Sequence, residues 1–191
     1  MSKDDGRVYL TEAPKGLPVP MDDGAAAHLA GKALPSLALP STAGGTVDLS
    51  AIRGRVVVYC YPMTGRPDVA LPEGWDSIPG ARGCTPQSCS WRDHHAELGA
   101  LGAQVFGLST QTTGYQLEMV ERLHLPFAVL SDAGLYFARA LDLPTFEAAG
   151  MTLLKRLTFI ACDGVIEAVF YPVFPSDADV AWVMERLGEK G

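Results

Sequence analysis

The sequence predicts one α/β domain built on a central mixed β-sheet flanked by helices. Three observations carry that prediction. Arg55–Tyr61 is a β-branched, almost wholly apolar run, the pattern of a central strand buried on both faces. Around and beyond it, strand-like and helix-like segments follow the order β-α-β-α-β-(α)-β-β-α, which argues for helices on both faces of a sheet. The last helix is strongly amphipathic, with Val180, Val183, Met184 and Leu187 recurring at i, i+3, i+4 and i+7.

Composition narrows the class. A chain of 191 residues, 48% hydrophobic and 19% charged, is long enough to bury a proper core as a single globular domain. A formal charge of −7 with no basic cluster excludes a nucleic-acid footprint. No apolar run approaches the roughly eighteen residues of a membrane span. The stretch Met1-Ser2-Lys3-Asp4-Asp5-Gly6 lacks the apolar centre of a secretory leader, so a cytoplasmic protein is expected. In that compartment the four cysteines stay reduced, and such cysteines are more often catalytic, redox-sensing or metal-binding than structural.

Taken in order, residues 1–31 are polar and rich in Pro, Gly and Ala. They read as a loosely ordered arm, in which Arg7-Val8-Tyr9-Leu10 is a candidate short strand or partner-docking segment. The domain proper is 32–191. Leu37–Leu39 and Thr46–Leu49 read as short strands around a Gly44-Gly45 turn. After the central strand come a helix over 86–100, a strand over Gln104–Leu108 and a helix over Gly114–His124. The inward face of that second helix would carry Leu117, Val120 and Leu123. Phe127–Leu130 is a strand and Leu135–Leu141 a helix, while Lys155–Ala161 and Val165–Tyr171 form a hairpin around Asp163-Gly164. Ser176 would cap the final helix, with Asp179 in its first turn and Gly188 ending it. Residues 63–83 hold Gly65, Pro67, Pro72, Gly74, Pro79, Gly80 and Gly83. An irregular connection that long is a functional insertion or a sign of misassignment.

The chemistry concentrates at 83–93, Gly-Cys-Thr-Pro-Gln-Ser-Cys-Ser-Trp-Arg-Asp. Thr85 is a candidate N-cap and Pro86 suits a first helical turn. Cys84 then lies at the positive end of a helix dipole, a place that activates a cysteine as nucleophile. A free cysteine is ordinarily a small buried hydrophobe. The second cysteine, Cys89, together with the flanking Gly and Pro, argues against that reading here. His94 and His95 do not complete a metal site, because steps of five along a helix turn about 140° and point the side chains apart. No metal or other cofactor is expected.

Gly83-Cys84-Thr85-x-x-x-Cys89-x-Trp91-Arg92-Asp93 resembles the active-site segment of the peroxiredoxins, and is most similar to the peroxiredoxin Q (bacterioferritin comigratory protein) branch. The resemblance runs from about Lys32 to Leu187. It includes Val56-Val57-Val58-Tyr59-Cys60-Tyr61-Pro62, Leu130-Ser131-Asp132, and Arg156-Leu157-Thr158-Phe159 followed by Asp163-Gly164. It implies a thioredoxin-like fold and a thiol peroxidase acting on hydrogen peroxide and organic hydroperoxides. In it Cys84 would be the peroxidatic cysteine and Cys89 the resolving one, joined in an intramolecular disulfide that a thioredoxin-like dithiol protein reduces. A monomer or homodimer is expected.

The same resemblance implies Arg156 as stabiliser of the departing oxygen. The residue pattern supports this independently: with Leu154, Thr158 and Ile160 around it, Arg156 reads as a mid-strand arginine, and a buried guanidinium needs an anionic partner. The bland alternative is an arginine reaching solvent from the sheet edge. The chain departs from the family at Ala81, where relatives carry Thr or Ser in Pro-x-x-x-Thr-x-x-Cys, and in the length of 63–83. Thr64, two residues after Pro62, is the candidate replacement for that hydroxyl. Arg66 and Arg82 would add positive charge if the insertion folds over the thiol. Cys60 and Cys162 read as inert core residues, Arg92-Asp93 as a local pair, a partner contact or solvated helix surface, and one of His94 and His95 as packing beside Trp91 and Leu98. Two other functions stay open at this level. One is a thiol–disulfide oxidoreductase without peroxidase activity, for which the usual Cys-x-x-Cys is missing. The other is a non-enzymatic redox-sensing or binding domain.

Overall fold

Strand β3 (Arg55–Cys60) sits at the centre of a five-stranded sheet, as its two-faced apolar composition requires. The computed structural model describes residues 13–189, so Arg7–Leu10 lies outside the described residues. β3 runs parallel to β4 (Ala103–Ser109), which in turn pairs with β5 (Val129–Ser131). On its other side β3 pairs antiparallel with β8 (Leu157–Cys162), and β8 with β9 (Val165–Phe170). The sheet is therefore mixed. A short antiparallel pair, β1 (Ala38–Pro40) and β2 (Thr46–Asp48), precedes it around the predicted glycine turn.

The period of two along β3 divides the core. Val56, Val58 and Cys60 face one layer, with Leu29, Leu108, Leu154 and Phe159, closed by α4 (Tyr136–Leu141) through Phe137 and Leu141. Val57, Tyr59 and Tyr61 face the other. That layer is closed by α1 (Cys84–Asp93), α2 (His95–Ala100), α3 (Thr113–Leu123) and α5 (Ala178–Gly188), through Trp91, Leu98, Met119 and Val183. Each fully buried side chain of this size contributes about 1.5–3 kcal/mol. Tyr59 lies in register with Gly107, where a Cβ would stand 2.8 Å from the phenol oxygen, so only glycine lets the ring lie there.

Several expectations need correction. The helix expected over 86–100 begins two residues earlier and breaks at His94 (φ −105°, ψ 7°) into α1 and α2. On α3 Leu123 is buried and Val120 packs against the core, as expected, but Gln116 and Met119 complete the inward face and Leu117 is 38% exposed. Gln116 can turn inward because its amide donates to Ser109 Oγ and to the Leu130 carbonyl. Ser176 does not cap α5, which starts after Asp177; Ser176 is buried against Gly83 instead. A hairpin of β6 (Thr145–Ala148) and β7 (Met151–Leu154) was not expected at all.

That hairpin explains the insertion. Trp75, in a single 3-10 turn, is buried with Ala81 and Leu153, its ring 6.3 Å from that of Phe146 on β6. Residues 63–83 thus carry a small core of their own and are not structureless. The described part of the arm is also docked rather than loose. Asp23 accepts from Lys155 Nζ at 2.6 Å and from the Tyr171 hydroxyl at 2.7 Å, and Leu29 is fully buried. No helix among the described residues is long and apolar enough to cross a membrane.

Candidate active site

The insertion returns the chain to the start of α1 through Gly83, whose φ of +106° favours glycine. A Cβ there would lie 2.5 Å from Ser176 Oγ, so the close approach of the α5 lead-in demands glycine as well. Gly83, not Thr85, occupies the cap position, and Cys84 is the first helical residue. Gln87 N–H closes the first helical turn on the Gly83 carbonyl at 3.1 Å. Cys84 thus stands at the helix end where backbone N–H groups lack carbonyl partners, with its sulfur 3.6 Å from the Ala81 carbonyl.

Arg156 does not lie within a strand. It occupies the two-residue step between β7 and β8, which lets its side chain leave the alternation of the sheet and run along the base of α1. It is 3% exposed. Nη2 donates to Cys84 Sγ at 3.2 Å and is shared with the carbonyls of Gly80 (3.2 Å), Ala81 (3.2 Å) and Arg82 (3.1 Å). Nη1 donates to Gln87 Oε1. The turn at 80–82 thus aims three carbonyl dipoles at one guanidinium, which in turn faces the sulfur. The bland reading, an arginine reaching out to solvent, does not describe this residue.

Cys84 lines a narrow cleft of about 20 Å³, room for about one water molecule. Its walls include Thr64, Gly65, Thr85 and Pro86, and the insertion roofs it with Leu71, Trp75 and Arg82. Thr64 is therefore in the cleft, but its hydroxyl donates to Gln111 Oε1 at 3.2 Å and its backbone N–H to the same oxygen at 3.0 Å. Arg82 reaches the cleft wall with its charge paired to Asp76 at 2.7 Å. Arg66 stacks on Tyr115, 4.2 Å from the ring centroid, and pairs with Glu118; it does not line the cleft.

Cys89 lies half-buried on the same intact helix, and all four cysteines are unpaired. Burial raises its thiol, with Arg92 opposing. Cys60 is fully buried, and burial followed by the charge of Asp132 pushes its thiol far up. Cys162 is less buried than a core residue, standing at the end of β8 with Asp163 3.9 Å away. Arg92 pairs with Asp93 at 2.8 Å, the local one of its open readings, while the His95 ring lies 5.8 Å from that of Phe127 and His94 Nδ1 lies 3.0 Å from the Ser90 carbonyl.

Two groups escaped the sequence reading. Gln87 and Asp179 are both fully buried, and Gln87 Nε2 donates to Asp179 Oδ2 at 2.6 Å. The same oxygen accepts from Thr158 Oγ1 (2.7 Å) and Trp91 Nε1 (3.2 Å). Burial raises the Asp179 carboxyl from its ordinary value, with Thr158, Gln87, Arg156 and Trp91 opposing. The signal was available: Asp179 stands at i, i+4 and i+8 with Val183 and Leu187, an acid on the apolar stripe of α5.

Comparison with known proteins is consistent with this geometry. A family model described as Redoxin matches residues 29–184. Peroxiredoxin Q, chloroplastic, of Populus jackii is 30% identical over 159 residues, covering 82% of this chain and 67% of that one. The chloroplastic peroxiredoxin Q of Oryza sativa subsp. japonica is also 30% identical over 159 residues, and the chain spans only 65% of its length. The putative peroxiredoxin bcp of Coxiella burnetii is 28% identical over 170 residues, covering 82% of this chain and 97% of that one. Among solved structures, the peroxidoxin BcpB of Mycobacterium tuberculosis superposes with a TM-score of 0.69 at 25% identity, over 84% of this chain and 96% of that one.

Proposed function

The chain belongs to the redoxin family, in its peroxiredoxin Q branch, and from that premise we propose that it is a thiol-dependent peroxidase with Cys84 as the peroxidatic residue. The observation that carries the assignment is Arg156 Nη2, 3.2 Å from Cys84 Sγ at the first residue of a helix. Peroxide cleavage needs a nucleophilic sulfur and positive charge where the leaving oxygen becomes negative. One guanidinium beside the sulfur serves both ends of the displacement.

The Cys84 thiolate attacks one oxygen of the hydroperoxide and the O–O bond breaks. Sulfur gains that oxygen as a sulfenic acid, and the other oxygen leaves as hydroxide or alkoxide, protonated from solvent. In this reading the hydroperoxide oxygens enter the small cleft at Cys84, and the substituent of an organic hydroperoxide stays outside it. Thr64, a cleft residue, is the hydroxyl we assign to orient the substrate if it exchanges its Gln111 contact for the peroxide. Cys89 then attacks the Cys84 sulfur, releasing water and forming a disulfide. A thioredoxin-like dithiol protein is the reductant that resets the pair.

Resolution requires movement. Five residues along an α-helix give a rise of about 7.5 Å and a turn of about 140°, beyond the reach of a disulfide. Cys84 lies inside α1, so the first turns must unwind before Cys89 arrives. In this reading residues 32–191 are the catalytic domain, 63–83 its insertion and 1–31 an arm. The unpaired cysteines suit a reducing compartment such as the cytoplasm.

The test is steady-state consumption of hydrogen peroxide and an organic hydroperoxide with a thioredoxin-type donor, wild type beside Cys84→Ser. Turnover by wild type alone supports the assignment. Exchange with protein disulfides but no peroxide consumption would replace it with the oxidoreductase alternative.

A further inference from the structure

We propose that Asp179 is a positioning residue for the Cys84 reaction: through the Gln87 amide it supplies a counter-charge that fixes the orientation of that amide and moderates the field the Arg156 guanidinium puts on the Cys84 sulfur. The inference rests on the reading of Cys84 as the reacting thiol.

A buried guanidinium demands an anion. No carboxylate among the described residues forms an ion pair with Arg156. Its partners are three carbonyls, the Gln87 amide oxygen and the sulfur. The negative charge on its far side is Asp179, one amide away. A glutamine amide can ordinarily be turned either way round. Here it lies between a group that can only donate and a carboxylate that, ionised, can only accept. That leaves a single satisfied orientation, oxygen toward Arg156 and nitrogen toward Asp179. The carboxylate also polarises the amide and strengthens its oxygen as acceptor for Nη1.

The arrangement is costly for the fold, which argues that it serves the site. Asp179 has no exposed surface, three donors converge on Oδ2, and Oδ1 has no partner among the described residues. Facing it are Gln87 and Trp91 from α1, Thr158 from β8, Tyr59 from β3 and, beyond the amide, Arg156. Facing Cys84 are Arg156 and the phenols of Tyr59 and Tyr61, which burial keeps neutral, with Arg82 on the cleft wall. Among the described residues Arg156 is thus the one cation shared by the sulfur and the carboxylate. Whatever removes charge from Asp179 leaves more of Arg156's field on the sulfur.

The test reads that field without peroxide, as the pH profile of Cys84 alkylation by iodoacetamide, measured on the Cys84-bearing peptide by mass spectrometry. Asp179→Asn keeps an oxygen for the same donors and removes the charge. Its profile should move to lower pH by about one unit, giving roughly tenfold more alkylation on the acid limb. At high pH the rate should fall below wild type, because a better-stabilised thiolate is a weaker nucleophile. Gln87→Glu places a charge directly against Nη1 and should move the profile to higher pH. The double variant should return towards wild type.

Opposite shifts with recovery in the double variant support the proposal. Coincident profiles, or both single variants moving the same way, overturn it, since mere loosening of the helix has no sign. If Asp179→Asn does not fold, Asp179→Ser, which also removes the charge, is read in its place, with the same shift to lower pH expected. Peroxide consumption by the same preparations separates the two levels. Shifted profiles in an enzyme without turnover reject the proposed function and keep the positioning role, and unshifted profiles in an active enzyme do the reverse.

Discussion

Cys60 and Cys84 lie on opposite faces of the same sheet and are almost equally hidden, at 0% and 3% exposure. Their surroundings differ in kind. Cys60 ends β3 between Leu108 and Leu157, where burial and the like charge of Asp132 hold the proton on the thiol. Cys84 begins a helix and faces a guanidinium that itself rests on three carbonyls and an amide. Burial without a fixed positive charge makes a cysteine inert. The same degree of burial with one makes it a candidate nucleophile, because a low dielectric strengthens whatever charge is present.

The largest test of that contrast is by deletion. Cys84→Ser should abolish peroxide consumption, whereas Cys60→Ser and Cys162→Ser should leave it nearly intact in the same coupled assay. Activity surviving in the Cys84 variant would erase the distinction between the two faces. The next effect isolates the charge. Arg156→Met keeps most of the volume, and single-turnover oxidation of Cys84 should slow by roughly ten- to a thousand-fold, as loss of one stabilising donor commonly does. An unchanged rate would leave helix position alone to explain Cys84.

The oxidised state sharpens the comparison differently. Forming Cys84–Cys89 must unwind the start of α1, breaking the Gly83–Gln87 turn and the Arg156–Gln87–Asp179 contacts with it. Amides of residues 87–92 should lose exchange protection, those of β3 around Cys60 should keep theirs, and Trp91 fluorescence should shift. A mass-mapped Cys84–Cys60 link would contradict the scheme. Thr64→Val should cost less, about two- to tenfold in the oxidation step, the range of one modest hydrogen bond.

The smallest effect is on stability and has a defined sign. The folded protein holds the Asp179 carboxyl above its unfolded value, so the native state binds its proton more readily. That contribution favours folding at low pH and is lost as pH rises through the folded value. Asp179→Asn should therefore melt a few degrees higher than wild type at neutral pH, with the gain shrinking as pH falls towards the ordinary carboxylate range. A lower melting temperature at neutral pH would mean that the carboxylate's hydrogen bonds outweigh its burial.

The sequence by itself determined the central strand, the layered α/β class, the amphipathic last helix and the cysteine segment, because each is written in local periodicity or spacing. Arg55–Cys60 is apolar at every position after the first, and no other environment suits such a run. Tertiary structure alone decided which polar groups would meet. Arg156 was legible as an unusual arginine, but its place in a two-residue break, with carbonyls 74 to 76 positions earlier in the chain, depends on how β7 passes to β8 beneath the insertion. Gln87 looks like an ordinary helix residue and Asp179 shows only as an acid on the apolar stripe of α5; they stand 92 residues apart and meet only when α1 and α5 pack on one face of the sheet. The insertion likewise looked structureless because its order comes from Trp75 meeting Phe146 and Leu153, contacts no local pattern encodes. Local propensity and periodicity act over a few residues. A buried charge network is satisfied across elements, and only the packed fold brings its donors and acceptors within reach.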